Sequence, residues 1–374
     1  MELLRMISMC MVTVLHALGK SDLLVNLSVN PGINGVIAWV LESISIGAVN
    51  IFMLISGYFL INSEFKIKRL VEIVMQAVFY TVFTFGAGLA TGVVKPSDVS
   101  IYYLLNEFFP VHMEVYWFIT AYVVIYMLLP VITKGAAMIP KKRLQVVIIA
   151  LVIYECGFKS FLPFRFTTDS KGYSFLWYLI VFLVGAYLRL YGFKLTDTAL
   201  KGWIVYGAGT LLVLLETFAI HFVNARTGHL AEIYGMSTEY NNVFVFAASL
   251  GIFAAFLHLP EMNEGPGRVI CVLSPMALGV YLFQENLTLR YLWQGWFGLP
   301  ESSGNMPVLF FLRIVLAVVT MYVAGTLVDA LRKLLFKAVY RLWKRLVPGR
   351  IGKSGGDEGE DENGEAEHET REYL

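Results

Sequence analysis

Charge is scarce in this chain. Only 15% of its 374 residues are Asp, Glu, Lys or Arg, and 57% are hydrophobic. A soluble globular chain carries about 25% charged residues, so a water-soluble enzyme is excluded. Cysteine is nearly absent too. Cys10, Cys156 and Cys271 lie apart in apolar runs, a pattern of small packing residues rather than a disulfide framework or a zinc site. There is no Walker loop, no GxGxxG, no HExxH and no GxSxG elbow. Phosphate-loop, dinucleotide, zinc-protease and serine-hydrolase chemistries therefore lack their signatures. No metal ligand set and no permanently bound cofactor is expected. No internal repeat of fixed period is visible.

Long apolar runs are what remains. Ten segments, roughly 2–19, 35–61, 70–94, 115–133, 144–158, 173–191, 202–223, 243–259, 269–289 and 307–331, are each read as a membrane-spanning helix. The fold class is all-α, a multi-pass protein in the lipid bilayer. The first segment has no small-residue cleavage site and is expected to be retained. With the N-terminus inside, the inner loops hold 11 basic residues and the outer loops 7. That bias predicts both termini in the cytoplasm and residence in the cell (plasma) membrane.

The domains follow: 1–331 in the membrane, 332–350 as a basic juxtamembrane helix, and 351–374 as an acidic tail. Apolar residues recur at helical spacing between the basic ones of 332–346, which predicts a helix lying on an anionic inner leaflet. That apolar face argues against nucleic acid as partner. The tail carries nine acids against Lys353 and Arg371 and is expected to be a solvated, disordered extension.

Ionisable residues inside spans are costly and therefore mark function. Arg5 and His16 are eleven residues apart, about 20° past three full helical turns and about 16.5 Å of rise, so they share one face. Arg5 alone would also fit an interface anchor. Further candidates are Glu42, Asn50, Ser56 and Tyr58 in the second segment; Glu72 and Gln76 in the third; Glu114 and Trp117 at the mouth of the fourth; Glu155, Glu216 and His221; the Gln284, Glu285, Asn286 cluster; and Arg313 and Asp329.

Four blocks resemble the acyltransferase 3 family, membrane-integral O-acyltransferases of bacterial surface glycans. Leu4-Arg5-Met6-Ile7-Ser8 with His16 resembles its first span. Asn50-Ile51-Phe52-Met53-Leu54-Ile55-Ser56-Gly57-Tyr58, followed by Lys66, Lys68 and Arg69, is similar to its second span and basic loop. Trp117, Tyr126 and Pro130 keep the spacing of its fourth-span block, and Ser274, Gly279, Tyr281 and Leu282 resemble a late element. Three positions depart from the pattern: Tyr122 where many members carry Glu, Gln284 where many carry His, and Ala48 where Gly is usual.

The resemblance implies transfer of an acyl group, acetyl in the first instance, from acyl-CoA to a hydroxyl of a cell-surface or lipid-linked glycan. His16 would be the general base and Arg5 would hold the donor's phosphates. Lys66, Lys68 and Arg69 would add charge at the donor mouth. Asn50, Ser56 and Tyr58 would position the donor or stabilise the oxyanion. Glu42 or Glu114 would orient the imidazole. Glu42, Glu114, Trp117 and Gln284 stand as acceptor-side candidates. The rival expectation is a transporter or flippase of a lipid-linked or small anionic solute. Oligomeric state is not encoded legibly.

Overall fold

The apolar runs become helices because a backbone in lipid must satisfy its hydrogen bonds within itself. The computed structural model describes residues 1–24, 32–161, 170–192, 194, 197–230, 233 and 235–346. The acidic tail and residues 347–350 lie outside that set. Among the described residues there is no strand. In chain order the principal helices are α1 (Glu2–Gly19), α2 (Gly32–Ser45), α3 (Ala48–Leu60), α4 (Ile67–Thr91), α5 (Ile101–Phe108), α6 (Trp117–Met127), α7 (Leu129–Met138) and α8 (Lys141–Val152). They continue as α9 (Phe175–Tyr191), α10 (Ala199–Thr227), α11 (Val243–Leu257), α12 (Glu264–Leu273), α13 (Ala277–Glu285) and α14 (Pro307–Leu346).

Seven helical stretches among the described residues are long and apolar enough to cross a bilayer. The pair α6 and α7, bent by 55°, makes an eighth if it is one span. The fourth of the ten sequence segments is that bent pair. The fifth is the twelve-residue α8 followed by a π turn over Ile153–Gly157, and the sixth is the seventeen-residue α9. The second is broken at Ile46–Gly47 into α2 and α3.

Small residues set how closely these helices approach. A Cβ on Gly57 of α3 would strike the Phe182 carbonyl of α9, and one on Gly185 would strike that of Leu54. The Ser-Gly-Tyr stretch thus carries a backbone-to-backbone contact. Gly202 and Gly251 do the same between α10 and α11.

The core gathers α1, α3, α6, α9, α11 and α13 around fully buried Trp177, Tyr178, Phe182 and Phe253. A second cluster joins the end of α1 to Trp293 and Phe310. Large apolar side chains of α10 and α14, such as Leu211, Leu215, Leu312 and Leu316, point outward. That is the surface a lipid-facing helix presents.

Candidate active site

The face of α1 that bears Arg5 and His16 lines a cavity of about 1020 Å³. Other helices close it: α3 with Ser56 and Phe59, α4 with Arg69, Glu72 and Gln76, α6 with Trp117 and Tyr122, and α13 with Tyr281. The walls are mostly apolar, with a few placed polar groups, the usual make-up of a small-molecule site.

Arg5 sits near the start of α1. Its guanidinium pairs with Glu2 one turn earlier and lies over the Phe59 ring at 5.8 Å. Glu2 also accepts from the Ser274 hydroxyl. Ser274, one of the residues that carry the family resemblance, therefore anchors the Arg5 end of the cavity.

His16 lies three turns further along. Its Nδ1 is 3.5 Å from a carboxylate oxygen of Glu285, and its ring is 6.2 Å from that of Tyr281. Glu285 also pairs with Lys20 and lies 3.7 Å from the Arg290 guanidinium. Arg290 in turn is fixed by donating to the Val115 carbonyl at 2.6 Å and to the Glu285 carbonyl at 2.8 Å. Fully buried Gln284 donates to Thr13 at 3.1 Å and packs beside the imidazole. The imidazole thus stands beside an anchored carboxylate.

The carboxylate that meets His16 is Glu285, not Glu42 or Glu114. Glu42 is buried on α2 and is not one of the lining residues, and Glu114 is exposed in a loop with φ of 54°. Lys20 caps α1 four residues after His16, a spacing readable in the sequence.

The other expected site residues divide. Ser56, Arg69 and Trp117 line the cavity with Arg5 and His16. The Ser56 hydroxyl donates to the Phe52 carbonyl at 2.8 Å. Trp117 belongs to an aromatic wall, 4.5 Å from Tyr173 and 5.8 Å from Tyr240. Tyr122, at the position where many family members carry Glu, also lines the cavity.

Asn50, Tyr58, Lys66 and Lys68 do not line it. Asn50 is fully buried, donating to the Tyr240 carbonyl at 2.8 Å and accepting from the Trp177 indole at 3.0 Å. The Tyr58 hydroxyl accepts from Arg189 at 3.3 Å. Lys66 begins α4, where its backbone N–H donates to the Tyr126 hydroxyl at 3.1 Å. Lys68 is exposed, 3.9 Å from Glu72.

A second buried network escaped the sequence reading as a unit. Asp329 of α14 is fully buried and accepts from Gln76 at 3.0 Å, Tyr80 at 3.1 Å and Arg332 at 2.8 Å. Gln76 and Asp329 are individually conspicuous as polar residues in spans, but their meeting is a tertiary fact.

Comparison with known proteins adds the family. No curated protein and no solved structure matches the chain. A family model described as an acyltransferase domain, that of the acyltransferase 3 family, matches residues 1–327. The match covers most of the chain, which therefore belongs to the acyltransferase 3 family as a membrane acyltransferase.

Proposed function

We propose that the chain moves an acyl group, acetyl in the first instance, from acyl-coenzyme A to a hydroxyl of a cell-surface or lipid-linked glycan, with His16 as general base. The setting is the plasma membrane, with both termini and the donor mouth on the cytoplasmic side. One observation carries the reading. A single cavity has an end lined by Arg5, which Glu2 faces, and Arg69 and, about 16.5 Å along α1, an imidazole 3.5 Å from Glu285. A pantetheine arm is of that length, so the nucleotide stays at the arginine-lined end while the thioester reaches His16.

The chemistry then needs one tautomer of His16. Nδ1–H faces the Glu285 carboxylate, and Nε2 takes the proton of the acceptor hydroxyl. The oxygen attacks the thioester carbonyl, and Glu285 stabilises the imidazolium that forms. Collapse of the tetrahedral intermediate expels the coenzyme A thiolate, which recovers the proton from His16. Lys20 and Arg290 hold the Glu285 carboxylate in place through the cycle. Glu285 is a positioning residue here.

The test is single-turnover transfer of labelled acetyl from acetyl-coenzyme A in liposomes containing glycan acceptors. His16→Gln keeps a hydrogen-bonding side chain but cannot take the proton. Its rate is expected to fall about 10²–10⁴-fold while coenzyme A binding persists. Near-wild-type transfer by His16→Gln overturns the assignment of the base.

A further inference from the structure

We infer that Arg332 and Lys333 hold phosphates of the donor's nucleotide end, so that the basic extension of α14 is a wall of the donor site. This rests on the acyl-coenzyme A reading above. Both residues lie beyond the stretch that the family model matches, which stops at residue 327. Both line the cavity together with Arg5 and Arg69.

The amphipathic pattern of 332–346 predicts a helix resting on lipid headgroups. The structure turns the first turn of that stretch inward, while Leu334, Leu335, Val339 and Tyr340 stay exposed. Arg332 is only 9% exposed, and α14 runs unbroken from Pro307 to Leu346. A guanidinium is not left on an inner wall without a carboxylate to hold it. Asp329 takes that part, accepting from Nε at 2.8 Å and from an Nη nitrogen at 3.3 Å. Gln76 and Tyr80 fix the same carboxylate from α4.

This edge-on pairing uses one side of a planar fork and leaves the other side for a second acceptor. Lys333 stands 3.8 Å from the other oxygen of Asp329. One carboxylate therefore faces two cations, and the pair keeps a net positive charge. Arg5 differs, because Glu2 faces it one to one. Of the other charges on this lining, Arg69 lies over the Tyr126 ring at 5.8 Å and Glu72, one turn on, faces Lys68 at 3.9 Å, so excess positive charge resides on α14 and on Arg69.

A phosphate-bearing nucleotide is the part of the donor that such charge recognises. Phe336 and Tyr340, on successive turns of α14, also line the cavity and set aromatic faces beside the cations. The Arg332 guanidinium already lies 5.3 Å from the centre of the Phe336 ring. Base and phosphates of one nucleotide would lie along one helix face.

The experiment measures binding of coenzyme A and of pantetheine, which lacks the phosphates, to the purified full-length protein. Wild type is expected to prefer coenzyme A. In Arg332→Gln/Lys333→Gln that preference should fall by about ten- to a hundredfold, the range for charge-assisted hydrogen bonds. Lys333→Gln alone leaves the Asp329–Arg332 pair intact, so its expected partial fall does not depend on refolding of α14. Arg332→Lys should recover part of the loss.

Coenzyme A affinity equal to wild type in both variants overturns the inference. An equal loss of both ligands overturns it as well, since the phosphates would then not be what α14 reads. Failure of the wild-type protein to bind coenzyme A at all would sink the donor reading itself, and this inference with it.

Discussion

His16 and Glu285 come from opposite ends of the chain and meet with the imidazole Nδ1 3.5 Å from the carboxylate. The same carboxylate is held by Lys20 and faced by Arg290. If Glu285 acts through His16, its loss should change turnover more than donor binding. Glu285→Gln is expected to lower kcat by about ten- to a hundredfold while the acetyl-coenzyme A Kd stays within about twofold. Glu285→Asp should recover part of the rate. Steady-state kinetics beside equilibrium donor binding separates the outcomes, and equal damage to both quantities would mean that Glu285 merely holds the helices together.

Gly57 should be intolerant of even one methyl group. Its missing Cβ leaves room for the Phe182 carbonyl of α9, and Gly185 leaves room for that of Leu54. Backbone cannot yield as a side-chain tip can. Gly57→Ala is therefore expected to cost about 1–3 kcal/mol through overpacking and to lower the melting temperature in detergent. Gly185→Ala should behave alike. A Gly57→Ala protein that melts with wild type would show that the two helices are not packed as described.

The all-α class, most of the long apolar helices and the shared face of Arg5 and His16 were legible because they depend on local period, whereas the breaks in the second, fourth and fifth segments were not. Hydropathy runs and a turn of 100° per residue are properties of consecutive residues. The partner of His16 was not legible, because Glu285 arrives from α13 through the packing of whole helices. Asn50 shows the same limit from the other side. A polar residue in a span reads as a ligand for substrate, yet its partners are the Trp177 indole and the Tyr240 carbonyl. The 332–346 stretch shows a third case. An amphipathic basic helix has the same pattern whether lipid or a donor site covers its inner face; the Asp329–Arg332 pair is local to α14, and only the tertiary fold brings Gln76 and Tyr80 of α4 onto Asp329.

Glu107 gives a pH dependence outside the spanning helices. It lies on short α5 and is 1% exposed. Burial pushes its carboxyl from 4.5 up to about 7, with a Tyr103 hydrogen bond working the other way. Between those two values the folded protein holds a proton that the unfolded chain has released. Stability contributed by this group therefore falls as pH rises through that window, and levels off above it. Glu107→Gln stays neutral throughout. Relative to wild type it is expected to gain melting temperature from pH 5 to pH 8, with little difference at the acid end. A gap between the two proteins that does not vary with pH would count against a buried, proton-holding Glu107.

Asn50 decides between two roles for the second-span motif. As a donor-positioning residue it would contact substrate, and its removal would weaken coenzyme A binding. As a scaffold residue it ties α3 to the Trp177 indole and the Tyr240 carbonyl, with no face on the cavity. Removing it leaves a buried N–H and a buried carbonyl unsatisfied, each worth about 1–3 kcal/mol. Asn50→Ala is therefore expected to melt well below wild type, while the fraction that stays folded binds coenzyme A with unchanged Kd. Trp177→Phe should reproduce part of the loss, since it removes the indole N–H that Asn50 accepts. In the double variant the two losses should be less than additive, because the bond between the residues can be lost only once. A raised coenzyme A Kd in folded Asn50→Ala at unchanged melting temperature would instead return Asn50 to the donor site.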